Sequence, residues 1–289
     1  MPMADFYLAR EMAVAELASV GDAAGLLAWA ERVAATASPA EVYRSKEGRV
    51  TLRFAFQGRS FFLKLHRGVG WWEICKNLLQ LRLPVISASN EYRAAGALQR
   101  LGVDTLTVSA YARQGLNPAA RHSLLVTEDL AGTVSLEDYC GDWARRPPPP
   151  GVRLRLLRKL ADSARRMHGA GINHRDFYLC HFHLDPASLA GARLRCYVID
   201  LHRAQLRRYT PLRWRIKDLA GLYFSAMDCG LGRRDLWRFM HYYSDGGLAR
   251  ALGPDRELWQ QVARQALQLY RKTHGDRVPA GWVPGQIRG

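Results

Sequence analysis

The stretch Gly169-Ala170-Gly171-Ile172-Asn173-His174-Arg175-Asp176, followed downstream by Val198-Ile199-Asp200, decides how this chain folds. Leu154, Leu157, Ala161, Ala164 and Met167 recur ahead of it at helical spacing. They predict a long basic helix that stops at the glycines. His174-Arg175-Asp176 therefore sits in a loop directly behind a helix. The apolar run from Cys196 to Leu201 reads as a short strand carrying Asp200 at its end. A loop carboxylate and a strand-end carboxylate are each common, and their meaning depends on what precedes them.

Upstream the period changes to two. Val50, Leu52, Phe54 and Phe56 alternate with Thr51, Arg53 and Ala55, Gln57-Gly58-Arg59 supplies a turn, and Phe61 to His66 forms a second strand. Lys64 falls mid-strand on the face it shares with Phe62 and His66, opposite Phe61, Leu63 and Leu65. Residues 89–101 return to helical spacing, with Gly102 as the cap, and this helix carries Glu91. Residues 105–111 and 123–128 read as further strands, the second running into Thr127-Glu128-Asp129-Leu130. Beyond Asp129 strands become scarce. Pro147 to Pro150 marks a loop, and residues 214–274 read mostly as helix. Residues 5–36 also read as helix, broken at Gly21-Asp22, with Ser38-Pro39 as a joint. The expected fold is α+β: a helical extension over 1–40, a small β-rich lobe over 41–130 and a larger α-helical lobe over 131–289.

A strand lysine, a helix glutamate, a His-Arg-Asp loop behind a helix and a strand-end aspartate occur here in the order of the protein-kinase catalytic machinery. Phosphoryl transfer needs charge neutralisation and in-line positioning more than covalent chemistry. In that layout Lys64 holds the α- and β-phosphates of ATP and Glu91 fixes its ammonium. Asp176 takes or orients the proton of the attacking hydroxyl, and Asp200 binds Mg2+ through hard carboxylate oxygen. Glu128 and Leu130 offer backbone groups to adenine. Gly48, just ahead of the first of these strands, stands alone where a glycine-rich loop would lie, so the usual glycine-rich cover of the phosphates is reduced. His181 stands five residues after Asp176, where protein kinases carry asparagine. Imidazole is a poorer magnesium ligand than an amide oxygen, which leaves a second metal position open. Asp200 is followed by Leu201-His202 rather than Phe-Gly, and no Ala-Pro-Glu follows, against control through a conventional activation loop.

Composition narrows the partners. The 289 residues carry 42 Lys+Arg against 26 Asp+Glu, a formal charge of +16, with 48% hydrophobic residues. A core is readily built, and the charge favours anionic partners. No zinc pattern or RNA-binding signature accompanies it, so nucleic acid is not expected. Cys75, Cys140, Cys180, Cys196 and Cys229 are scattered and odd in number, which predicts free thiols in a reducing compartment. With no signal-peptide pattern and no run long enough to span a bilayer, a cytoplasmic protein is expected.

At the same residues the chain resembles the lipopolysaccharide core heptose(I) kinases. The likeness runs over about residues 45–242. It includes Arg67-Gly68-Val69-Gly70-Trp71-Trp72-Glu73-Ile74, Arg82-Leu83-Pro84-Val85, Asn90-Glu91 and Gly102-Val103-Asp104-Thr105. It continues through Gly171 to Asp176, Cys180-His181-Phe182, Val198 to Leu206, Arg213-Trp214-Arg215 and Lys217-Asp218-Leu219. The resemblance implies a bilobal protein-kinase-like fold, ATP with Mg2+, and a heptose of the lipopolysaccharide inner core as acceptor. It implies Asp176 as base, Asp200 as metal ligand, His181 as the family's normal residue at a possible metal position, and Asp218 as support for the catalytic loop. Arg203, Arg207, Arg208, Arg213, Arg215 and Lys217 would form a basic rim for that anionic glycolipid. Trp71 and Trp72 with Arg67 and Lys76 form an amphipathic segment suited to substrate or to peripheral contact with the inner membrane's cytoplasmic face, unless both rings pack inside. Competing readings are a kinase for another core sugar (Kdo), a small molecule or protein tyrosine, and a catalytically silent kinase-like binding protein.

Overall fold

In the computed structural model the described residues are 5–46, 48–79 and 87–281. The quoted segment Arg82 to Val85 lies outside them. The chain divides into two compact units, the residues up to Ala97 with Leu106–Ala131, and Leu98–Thr105 with the chain from Gly132 onward.

The first unit holds β1 (Phe6–Leu8), α1 (Ala23–Thr36), β2 (Val42–Lys46), β3 (Arg49–Phe56), β4 (Arg59–Arg67), α2 (Gly70–Leu79), most of α3 (Ser89–Arg100), β5 (Val108–Gln114) and β6 (His122–Glu128). The strands form an antiparallel sheet in the order β1-β5-β6-β4-β3-β2. The hairpin read from the alternating pattern is β3–β4, paired from Arg49↔His66 to Phe56↔Arg59. Its turn residues Gln57 and Gly58 both have positive φ, 49° and 73°, as a two-residue turn matching strand twist requires. Phe61, Leu63 and Leu65 of β4 enter a core with Leu52, Leu124, Val126 and Trp29 of α1. Lys64 emerges on the opposite face.

The N-terminal reading needs correction. The helix predicted over 5–36 begins only at Ala23, where Asp22 caps it by accepting the Gly25 amide at 2.7 Å. Phe6–Leu8 is a strand on the edge of β5, with Phe6 opposite Ala112 and Leu8 opposite Ala110. Short apolar runs do not separate helix from strand by period alone. The unpaired backbone of β5 supplies the preference. The segment carrying the paired tryptophans is the helix α2, and Trp71 and Trp72 are 57% and 83% exposed. Neither ring packs inside.

The second unit adds β7 (Val134–Ser135), α4 (Leu136–Cys140), α5 (Pro150–Gly169), β8 (Ile172–Asn173), β9 (Phe182–Leu184), β10 (Cys196–Val198), β11 (Gln205–Leu206), α6 (Leu212–Ala226), α7 (Arg233–Tyr243), α8 (Gly247–Leu252) and α9 (Arg256–His274). Pro150 opens α5, where a missing N–H costs nothing. Gly171 has φ 80°, and a Cβ there would overlap the Arg207 carbonyl oxygen. This glycine lets β8 and β11 close into the ribbon that carries the His-Arg-Asp loop. No helix among the described residues is long and apolar enough to cross a membrane.

Candidate functional site

In the first unit, Lys64 Nζ stands 2.6 Å from Glu91 Oε1. The Glu91 side chain is 3% exposed and that of Lys64 25%, so the carboxylate is buried and the lysine side chain only partly so. Removing the lysine would leave a buried charge without this partner. The Glu128 amide donates to the Thr107 carbonyl at 3.0 Å and its carboxylate pairs with Arg59. An adenine contact by Glu128 would therefore use its carbonyl. Gly48 has φ 71°, accepts the Arg67 amide at 2.8 Å and presses its Cα face on the Gly68 carbonyl. Its need to be glycine has that structural cause.

In the second unit, a buried aspartate shapes the loop. Asp218 of α6 is fully buried and accepts the backbone amides of His174 at 2.6 Å and Arg175 at 2.8 Å. Two amides pointing at one carboxylate hold Arg175 at φ 79°, a left-handed conformation that a non-glycine residue adopts only under constraint. A chain of donors backs the carboxylate. Arg215 Nε donates to the Tyr243 hydroxyl at 3.0 Å, Tyr243 donates to His168 Nδ1 at 2.9 Å, and His168 Nε2 reaches Asp218 at 3.4 Å. Burial pushes the Tyr243 hydroxyl up to about 12, so it stays protonated and able to donate.

His174 joins the loop to the strand end. Its Nε2 donates to the Ile199 carbonyl at 2.8 Å, and its Nδ1 accepts the Asp176 amide at 3.3 Å. The ring is fully buried, and burial pushes its pKa below the usual value. The neutral ring with this tautomer satisfies both bonds. Asp176 is thus placed from behind, and both of its carboxylate oxygens accept from Arg203, at 2.7 and 2.9 Å.

Asp200 follows β10 in a left-handed conformation, φ 59°, which turns its carboxylate toward His181. His181 Nδ1 donates to the Asp176 carbonyl at 2.6 Å. That leaves Nε2 facing Asp200 Oδ2 at 3.4 Å. An imidazole nitrogen and a carboxylate oxygen turned toward one another are a pair that a cation could bridge when the ring is neutral. His202 holds the other Asp200 oxygen. Were magnesium held here, Asp200 would offer the oxygen it prefers and His181 a nitrogen that it tolerates less well.

Of the residues expected to form a basic rim, Arg203, Arg207 and Arg213 gather near the loop, the latter two against Trp214. Arg208 is exposed. Arg215 turns to Tyr243 instead. The sequence alone gives no positioning role to His168, His174 or Tyr243, which shape the loop; His174 stands in the triplet, whereas Tyr243 lies far along the chain and gives no signal.

A β-sheet unit and a helical unit with this loop, strand end and buried aspartate define the protein-kinase-like fold. A family model for the lipopolysaccharide kinase (Kdo/WaaP) family matches residues 33–243. The lipopolysaccharide core heptose(I) kinase WaaP of Escherichia coli is 50% identical over 234 residues, covering 81% of this chain and 88% of that protein. Its counterpart in Pseudomonas aeruginosa is 49% identical over 241 residues, covering 82% and 89%. A solved structure described as WaaP in complex with acyl carrier protein aligns with a TM-score of 0.73 at 40% identity, covering 92% of this chain and 99% of that one. This chain belongs to the lipopolysaccharide kinase (Kdo/WaaP) family.

Proposed function

We propose that this protein is an ATP-dependent sugar kinase that phosphorylates the first heptose of the lipopolysaccharide inner core. The observation that carries the reading is the clamped loop. Asp218 and His174 hold the amides of residues 174 to 176 and His181 holds the Asp176 carbonyl, beside the left-handed Asp200, in a chain about half identical to core heptose(I) kinases. Asp176 receives or orients the proton of the attacking heptose hydroxyl. Arg203, now on Asp176, is within reach of charge that develops there. Lys64, steadied by Glu91, holds the ATP phosphates. Leu130 and Glu128 border adenine, and Gly48 the phosphates. Asp200 is the residue that would hold magnesium, with His181 turned to the same point, and the metal when bound neutralises phosphate charge.

The test is ATP turnover with and without dephosphorylated core lipopolysaccharide. Strong stimulation by that acceptor is expected. Turnover that ignores it, or that responds instead to a peptide tyrosine, would remove the sugar-kinase reading.

Two partners follow from the same reading. Exposed Trp71 and Trp72 on a helix that also carries Lys76 suit shallow insertion into an anionic bilayer. We place the protein at the cytoplasmic face of the inner membrane. The second unit also has an open pocket of about 270 Å³ walled by Leu157, Leu160, Leu222, Trp237, Phe239 and Trp259 among others. Its apolar walls suit an acyl chain, and with a related structure held in complex with acyl carrier protein we read acyl carrier protein as a partner here too. Acyl carrier protein pulled down in the acylated but not the free form is the expected result.

A further inference from the structure

Around the catalytic loop the chain assembles more positive charge than it neutralises. Arg175 of the loop, Arg207 beyond β11 and Lys217 of α6 all lie against the Trp214 ring, their cationic centres 5.4, 5.7 and 5.4 Å from its centroid. Arg203 stands in the same group, on Asp176. Asp218 is fully buried, its oxygens already taken by the loop amides. Burial, and next the charge of Arg203, push the Arg175 guanidinium below its usual value. Burial, then Arg175 and Arg203, push the Lys217 ammonium down too. Two donors in the group, Arg175 Nε and Trp214 Nε1, are buried without a protein partner.

Like charges held together in a half-buried setting repel, and apolar packing gives no reason to place them there. Guanidinium forks and a neighbouring ammonium match the oxygens of a carboxylate or phosphate, and the indole face keeps the forks spread. The position is specific: Arg175 adjoins Asp176 in the chain, and Arg203 grips it.

We propose that Arg175, Arg207 and Lys217, set around Trp214, form an oxyanion subsite for an acidic group of the acceptor, a carboxylate or a phosphate, and thereby align the acceptor hydroxyl with Asp176. The proposal rests on the sugar-kinase reading. These are positioning residues that act through acceptor binding, so their effect falls on acceptor KM and not on nucleotide KM.

The experiment uses the full chain with Lys217→Gln and Arg207→Gln, assayed with ATP and core lipopolysaccharide whose first heptose carries no phosphate. Acceptor KM is expected to rise about tenfold or more per substitution, as for loss of a charge-assisted hydrogen bond, with the KM for ATP unchanged. Lys217→Gln should keep or raise the Tm, because it relieves repulsion. An unchanged acceptor KM, an equal rise in the KM for ATP, or a marked loss of Tm would each overturn the subsite. Phosphatase-treated and carboxyl-amidated acceptors identify the group bound: on the one lacking it, wild type and Lys217→Gln become equal. A deficit of the variant on both would overturn the proposal. Equilibrium binding of the native acceptor without ATP reads the subsite apart from turnover. Wild type that binds but does not phosphorylate, with binding weakened by Lys217→Gln, would sustain the subsite and sink the kinase reading. Binding indifferent to Lys217→Gln would sink the subsite.

Discussion

Replacing Asp218 by asparagine tests the anchor on which the loop depends. Both carboxylate oxygens are engaged, Oδ2 with the His174 amide and Oδ1 with the Arg175 amide, and the side chain is fully buried. Asparagine keeps the shape but offers one acceptor oxygen. Its NH2 would face a backbone N–H, so one buried donor loses its partner. A charge-assisted bond contributes about 1.5–3 kcal/mol, and a stranded buried donor costs about 1–3 kcal/mol. Counting their overlap, Asp218→Asn should cost about 2–4 kcal/mol. Asp218→Ala strands both amides and should cost about 3–5 kcal/mol, as for breaking a buried charged pair. At about 2–4 °C per kcal/mol for domains of 150–250 residues, the asparagine variant should melt about 5–15 °C lower. Guanidinium titration followed by tryptophan fluorescence measures the shift in midpoint at constant slope. The released loop should also lower kcat, since Arg175 relaxes from its left-handed conformation and Asp176 moves with it. An Asp218→Asn protein with wild-type midpoint and wild-type kcat would refute the argument.

Further outcomes follow from other groups. Lys64→Met leaves Glu91 buried without its ammonium and should lower stability by about 3–5 kcal/mol; Lys64→Met with Glu91→Gln should recover most of that without recovering activity, which a double-mutant cycle reads. Burial depresses the His174 and His183 pKa values below 6.5 in the folded state. The unfolded chain therefore binds more protons just below pH 6.5, so stability should be flat above about pH 7 and fall as pH drops through the folded values, in a melting series from pH 8 to 5. Gly171→Ala adds a Cβ at positive φ against the Arg207 carbonyl, and should cost about 2 kcal/mol or more in chemical denaturation. Trp71→Ala with Trp72→Ala should reduce sedimentation with anionic vesicles while leaving the Tm unchanged, because both rings are exposed.

Legibility in the sequence followed the range of the interactions. The β3–β4 hairpin and α5 could be read because their signals are local: period-two alternation around Gln57-Gly58, and an apolar stripe ending at glycine. β1 could not, because three residues become a strand only when the edge of β5 is there to pair with them. Lys64 and Glu91 were found by type and element, and the 2.6 Å pair is a tertiary fact that no spacing encodes. Asp218 entered through family likeness alone. The fully buried carboxylate under the loop amides depends on how α6 packs beneath β8. The gathering of Arg175, Arg207 and Lys217 around Trp214 joins a loop, a ribbon end and a helix, while a run of basic residues in sequence suggested an undivided rim. Arg215 shows the limit of that suggestion, since one helical position turns it from the loop to Tyr243.

The most direct test is transfer of labelled γ-phosphate from ATP to dephosphorylated core lipopolysaccharide by wild type and Asp176→Asn, with ATP binding measured on the same preparations. The expected result is transfer by wild type, its loss by a factor of about 100 or more in the variant, and equal ATP affinity in the two. Transfer by Asp176→Asn at the wild-type rate would contradict the account.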